Sequence, residues 1–204
     1  MSKNNPDIKP VLRVAFSGRS GSGKTTAVDY LSCCAITGNY DDRLKNVEYL
    51  MLAQPLKRAA ATLFGMEFKV FDDVDTKDKY NEKLGCKPRD VIIALGRLVE
   101  EVVGKNNKFI ESNPLLHQIA EKCADRTKSV VISDMRLPIE SQVMKELDIL
   151  RVRIVSNRLP PLPANADRTE TGCECDVEID NSGTIEEFYR KLDEVLNLAR
   201  WKAS

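Results

Sequence analysis

Eight consecutive residues carry a complete chemical pattern. Gly18-Arg19-Ser20-Gly21-Ser22-Gly23-Lys24-Thr25 matches GxxxxGK[ST] at every fixed position. Each residue type there has a physical reason. Glycines let the backbone curl until successive N–H groups point at one anion. A helix that opens at the end of the loop adds its partial positive charge. Lys24 would then reach the β- and γ-phosphates of a nucleotide, and Thr25 would ligate Mg²⁺. The expected phosphate-binding stretch runs over Gly18, Arg19, Ser20, Gly21, Ser22, Gly23, Lys24, Thr25 and Thr26.

Asp134 and Arg136 form a second group. Asp134 follows the apolar run Lys128–Ser133, and strand ends face the ligand crevice in open α/β sheets. Its carboxylate there would serve Mg²⁺ or substrate; the plain alternative is a helix N-cap. Arg136, two residues on, would contact phosphate from the same rim, or else is a surface arginine.

These groups need a frame to hold them. Val11–Phe16, Val47–Leu52, Lys128–Ser133, Ile149–Val155 and Val177–Ile179 read as strands. Helices are expected after the glycine loop, over about Leu56–Phe64, over about 89–103, from Pro114 to about Asp125 and over Ile139–Leu147. Thr184 with Glu187 is a capping box that opens a last helix, with Ile185, Phe188, Leu192, Val195 and Ala199 on its apolar face. Strands alternating with helices imply an α/β domain, a mostly parallel sheet with helices on both faces, of the P-loop NTPase type. Residues 66–87 are charged and aperiodic, and are expected to be a loop or mobile insertion. The chain reads as a disordered lead-in, 1–10, and a single domain, 11–204. Within that domain about 53–125 would be an acceptor-binding insertion and about 157–176 a lid.

Composition removes several function classes. The chain is 42% hydrophobic and 30% charged, an ordinary globular balance. Lys plus Arg and Asp plus Glu number 31 each, so no global field draws the chain to nucleic acid or an anionic membrane. No apolar run approaches the roughly 20 residues of a membrane span, and a cytoplasmic location is expected. Six cysteines include no CxxC pair, and His117 is the single histidine, so a Cys/His zinc site lacks its usual parts. Most hydrolase mechanisms would rest wholly on His117. No NKxD for guanine occurs, and the DxxG at Asp180–Gly183 falls too near the C-terminus for a GTPase switch.

Four segments in order resemble the phage-type deoxynucleoside monophosphate kinases, over nearly the whole chain. They are Phe16-Ser17-Gly18 through Thr26; Leu52-Ala53-Gln54-Pro55-Leu56-Lys57-Arg58-Ala59-Ala60 with Leu63-Phe64-Gly65; Val130-Val131-Ile132-Ser133-Asp134-Met135-Arg136-Leu137-Pro138-Ile139-Glu140; and Asp167-Arg168-Thr169-Glu170 followed by Ile179-Asp180-Asn181-Ser182-Gly183-Thr184. Departures fall in the acceptor-binding half. Asp167 stands where the family often has histidine, Leu137 replaces an aromatic, and Arg97-Leu98 replaces Thr-Glu after Gly96. Phosphomevalonate kinases of the human type share the glycine loop, the Pro-Leu-Lys and the Ser-Asp-x-Arg, and kinases of modified DNA bases are a second alternative.

The resemblance implies transfer of the γ-phosphate of ATP, with Mg²⁺, to a deoxynucleoside monophosphate. Other acceptors on the same scaffold, or a nucleotide-dependent switch, are the alternatives. An acceptor phosphate carries about two negative charges near neutral pH and needs cations to approach a triphosphate. Lys57, Arg89 and Arg136 are the candidates, with Lys24, Asp134, Arg136 and Arg168 as the catalytic set. Arg158 and Arg168 would close the lid over the transferring phosphate, and Glu170 would bind the acceptor's base or sugar. A homodimer is suggested by the resemblance; neither a membrane nor a nucleic-acid partner is expected.

Overall fold

Val14, Ala15 and Phe16 are wholly shielded from solvent. A strand buried on both faces belongs at the centre of a parallel sheet, and β1 (Arg13–Ser17) stands there in the computed structural model. With β2 (Glu48–Leu50), β3 (Val130–Met135), β4 (Leu150–Val155) and β5 (Val177–Asp180) it forms a five-stranded sheet of order β2-β3-β1-β4-β5. Every pairing is parallel. The expected α/β class and parallel sheet are therefore observed. The structure describes residues 11–37, 42–104, 114–161 and 173–197. They fall into two compact units, one from Met1–Leu50 and Ile119–Ser204, the other from Met51–Gln118.

The first unit holds the sheet. Alternation along the strands sends Val14, Phe16, Val131, Val152, Ile154 and Ile179 to one face. There α1 (Lys24–Thr37) packs through Ala27, Leu31 and Cys34, a helical i, i+4, i+7 spacing. Helix α8 (Ile185–Leu196) adds Phe188, Leu192 and Leu196. Burying each large apolar side chain contributes roughly 1.5–3 kcal/mol. Tyr30 of α1 donates to Asp193 of α8 at 2.7 Å, and its ring stacks on Tyr189 at 4.1 Å. These contacts fix α1, and with it the end of the glycine loop. On the opposite face Arg151 of β4 donates to Ser141 of α7 (Pro138–Glu146) at 3.1 Å, so helices flank both sides. The capping box at α8 is present. Thr184 Oγ1 accepts from the Glu187 N–H at 3.3 Å, and Glu187 Oε2 accepts from the Thr184 N–H at 3.1 Å.

The second unit contains α2 (Gln54–Leu63), α3 (Lys69–Asp72), α4 (Val74–Lys77) and α5 (Pro88–Gly104); α6 (Pro114–Ala124) follows in the chain. Its core is Ala60, Ala61 and Phe71, with Met66, Val91, Ile92 and Leu95 against it. One expectation changes here. Residues 66–87 are not a plain loop, because α3, α4 and an Asn81–Cys86 bridge lie within them. Four-residue helices are too short to show a repeating apolar face. Burial of Phe71 and the Asp73 carboxylate, which accepts from the Asp75 N–H at 2.7 Å, hold them instead. In the first unit β3 runs to Met135, so Asp134 stands at the C-terminal end of the strand, as expected. The lead-in 1–10 and residues 162–172 of the expected lid lie outside the described residues. No described helix is long and apolar enough to cross a membrane.

Candidate functional site

All strands being parallel, their C-terminal ends share one edge of the sheet. Ser17, Met135, Val155 and Asp180 mark it, and the loop Gly18–Gly23 leaves β1 there and enters α1. The chain departs from central β1 to β2 on one side and later adds β4 on the other, the topology that opens a ligand crevice at strand ends.

Three glycines shape the loop through positive φ: +132° at Gly18, +80° at Gly21 and +110° at Gly23. A Cβ at Gly18 would stand 2.2 Å from the carbonyl oxygen of Ile154, and one at Gly23 would stand 2.3 Å from Asn181 Nδ2. Backbone conformation and space both demand glycine at these two positions. Ser22 N–H donates to the Arg19 carbonyl at 3.0 Å and tightens the turn.

Lys24 opens α1, and its Nζ folds back over the loop. It donates to the carbonyls of Gly18 at 2.5 Å and Arg19 at 2.8 Å. Ser22 is wholly buried, and its Oγ has no hydrogen-bond partner within the protein. Thr25 is exposed in the first turn of α1, where helix N–H groups have no intrahelical acceptor. An ammonium, an unsatisfied buried hydroxyl, free helix N–H groups and a side-chain-free curve fit a polyphosphate, and Thr25 Oγ fits a hard cation such as Mg²⁺.

Residues after β4 and β5 buttress the loop. Asn181 Nδ2 donates to the Ser22 carbonyl at 2.9 Å. Arg158, at the start of the expected lid, donates to the carbonyl of Asn181 at 2.9 Å and to that of Gly183. Asn157 N–H donates to Ser182 Oγ at 2.9 Å. The two loops thus brace each other beside the glycine loop.

Asp134 and Arg136 arrive at the same edge from β3. The β1–β3 register pairs Ala15 with Ile132, then Ser17 with Met135, so β3 carries one extra residue opposite Phe16. Such a bulge re-aims side chains, and it falls at Ser133-Asp134. Asp134 is buried. It does not cap α7. Glu140 does, its Oε2 accepting from Arg136 N–H at 2.6 Å and Leu137 N–H at 2.9 Å. The Glu140 carboxyl is interior although the residue keeps some exposed surface. Burial pushes it up to about 7, against the lowering effect of the two N–H groups, and the charge of Asp134 adds to the rise. Sequence reasoning assigned no role to Glu140 or Asn181. The signal for Glu140 was its place three residues after the cap position Leu137.

Beside this edge the chain before β5 crosses the second face. Ser17 Oγ and Cys175 Sγ lie 3.2 Å apart. Arg151, only 5% exposed, is clasped by Asp176 at 2.5 Å and 3.0 Å. Burial pushes the Cys173 thiol up to about 12, an inert thiol. All six cysteines are free.

Lys57 and Arg89 belong to the second unit. Lys57, in the first turn of α2, pairs with Asp72 at 2.8 Å. Arg89, in the first turn of α5, forms an ion pair with Asp78, a terminal nitrogen donating to the carboxylate at 2.8 Å. Arg168 and Glu170 lie outside the described residues. Compared with protein-family models the chain matches none, and no curated protein matches it.

Proposed function

We propose that the chain is a Mg²⁺-dependent P-loop kinase that transfers the γ-phosphoryl group of ATP to a deoxynucleoside monophosphate. The observation that carries this reading is the loop Gly18–Thr25, its three positive-φ glycines leading into α1 with the Lys24 ammonium folded over it. Lys24 would leave the loop carbonyls for the β- and γ-phosphates, a stronger charge-assisted partner. Ser22 Oγ supplies a further polar contact inside the loop. Thr25 would hold Mg²⁺, and Asp134 would serve the ion or the substrate; when bound, the ion would neutralise charge on the transferring phosphate. Arg136 would contact phosphate from the strand edge, and Lys57 and Arg89 would bind the acceptor's phosphate. Arg168 would steady the transferring group and Glu170 the acceptor's base or sugar, both roles implied by the family resemblance.

In the reaction an acceptor phosphate oxygen forms a bond to the γ-phosphorus. The bond from that phosphorus to the β–γ bridging oxygen breaks, and ADP leaves with the electron pair. The acceptor is already anionic at neutral pH, so no general base is required. This is why a chain with one histidine suits the reaction.

The test is ADP release from ATP and Mg²⁺ with each deoxynucleoside monophosphate in turn, with phosphomevalonate and hydroxymethyluracil-containing DNA in the same panel. Turnover with a deoxynucleotide, abolished in Lys24→Ala, is the expected result. Turnover only with another panel member would overturn the acceptor assignment, and none with any would overturn the kinase reading.

A further inference from the structure

Asn181 is held through its N–H, its carbonyl and its side chain in the turn after β5. Its N–H donates to the Val155 carbonyl at 2.8 Å and continues the β4–β5 ladder just past Asp180. Its carbonyl accepts from Ser156 Oγ at 3.2 Å and from a terminal guanidinium nitrogen of Arg158 at 2.9 Å. The same Arg158 nitrogen also donates to the Gly183 carbonyl. With both backbone groups fixed, the side-chain amide is left to aim at Ser22, whose carbonyl it reaches at 2.9 Å. Leu159, next to Arg158, meets the glycine loop directly: a Cβ at Gly21 would stand 3.1 Å from its Cδ2. The chain after β4 therefore bears on the glycine loop by two routes.

We infer, resting on the nucleotide-binding reading above, that Arg158 is a positioning residue for the donor phosphates, acting through Asn181 on the glycine loop and making no phosphate contact of its own. This is a different role from closing over the transferring phosphate. The chain of causes is short. A guanidinium donating to a carbonyl makes a charge-assisted hydrogen bond, stronger than a neutral one. One nitrogen shared by the carbonyls of Asn181 and Gly183 fixes the turn between them. The fixed turn aims the Asn181 amide at the Ser22 carbonyl. A peptide bond is planar and trans, so holding the Ser22 carbonyl on one side turns the Gly23 N–H to the other, away from Asn181. Loops of this kind hold phosphate by such N–H groups, and their affinity depends on the curve being set before the anion arrives. Ser22 N–H, tied to the Arg19 carbonyl at 3.0 Å, fixes the preceding peptide in the same way. Arg158 thus secures the direction of one phosphate-binding N–H at one remove. Nothing in the sequence signals this, because Arg158, Asn181 and Ser22 are brought together only by the parallel pairing of β1, β4 and β5.

The experiment is a double-mutant cycle of Arg158→Gln and Asn181→Ala in the full chain, read by calorimetric binding of ATP with Mg²⁺ and by turnover. Arg158→Gln is expected to weaken ATP binding about fivefold, the loss of one hydrogen bond. Asn181→Ala should weaken it about tenfold, and the double variant should match Asn181→Ala alone, because the two residues act in series. In turnover the Arg158→Gln loss should appear in KM for ATP with kcat held. Arg158→Lys should recover little, since an ammonium does not reproduce the planar guanidinium. A direct phosphate contact predicts otherwise: losses that multiply to about fiftyfold in the double variant, a fall in kcat, and rescue by lysine. That pattern overturns the inference and leaves the kinase reading standing. ATP affinity unchanged in Arg158→Gln overturns it as well, even where the melting temperature falls. A cycle in series without phosphoryl transfer to any acceptor supports the relay and overturns the kinase reading. Failure of the wild type to bind ATP overturns both.

Discussion

Asn181 Nδ2 lies 2.9 Å from the carbonyl oxygen of Ser22, so the turn after β5 grips the centre of the glycine loop from far along the chain. The same amide nitrogen fills the space a Cβ at Gly23 would need. Asn181→Ala removes both the bond and the packing. The expected result is a stability loss of about 1 kcal/mol, the usual worth of one hydrogen bond, and, on the proposed function, a drop in ATP affinity of about tenfold, since a nucleotide-binding loop would have to hold its curve in advance. Thermal melting with and without ATP separates the two effects. Equal ATP affinity in the variant would mean that the loop holds its shape without Asn181.

Two glycines with positive φ should respond very differently to alanine. Gly18 has φ +132° and its Cβ would meet the Ile154 carbonyl at 2.2 Å, whereas Gly85 has φ +66° with nothing within 4 Å. Gly18→Ala therefore combines strain with a backbone clash in β4, at a cost of about 3 kcal/mol or more. Gly85→Ala meets strain alone and should cost about 1 kcal/mol. Denaturant midpoints of the two variants check the ranking. ATP binding should vanish only in Gly18→Ala.

The contrast between these glycines shows what the sequence could and could not reveal. GxxxxGK[ST] is a local pattern, and its glycines and lysine are legible because loop and helix are consecutive. The β-strands were legible too, since burial on both faces leaves unbroken apolar runs such as Val14-Ala15-Phe16. Partners distant in sequence were not. Nothing local ties Asn181 to Ser22, or Arg158 to the Asn181 carbonyl. The polar, proline-rich run around Arg158 reads as a loop, and such a reading does not name the carbonyls its guanidinium meets. Helices α3 and α4 were missed because their stability comes from Phe71 in the core and not from propensity or period.

Arg151 and Asp176 should behave as a lock between β4 and the entry to β5. The guanidinium is only 5% exposed, and Asp176 takes two of its nitrogens and the Arg151 N–H at 2.9 Å. The Arg151 guanidinium also holds the Asp176 carboxyl below its usual range. Asp176→Ala strands a buried charge and is expected to cost about 3 kcal/mol. Adding Arg151→Met should recover part of that loss, since an apolar stem needs no partner. The double variant being less stable than Asp176→Ala would show that Arg151 stabilises by itself. Because the folded pKa of Asp176 is depressed, its contribution is present above the unfolded value near 3.8 and fades as pH falls through the folded one.

Glu140 should give the opposite dependence on pH. Its carboxyl is raised from 4.5 to about 7, chiefly by burial. At pH below 4.5 both folded and unfolded chains hold the proton, so no penalty exists. As pH rises from about 4.5 to about 7 the unfolded chain releases the proton while the folded chain keeps it. The folded state then binds more protons, and stability falls with rising pH until the folded group ionises. The whole fall is worth roughly 3 kcal/mol. Glu140→Gln keeps an oxygen that accepts from the Arg136 and Leu137 N–H groups and removes the titration. The variant should match the wild type near pH 4.5, exceed it by an increasing margin up to about pH 7, and run parallel above. Urea unfolding across that range is the measurement. A constant difference at all pH values would mean that the Glu140 carboxyl titrates normally in the folded chain.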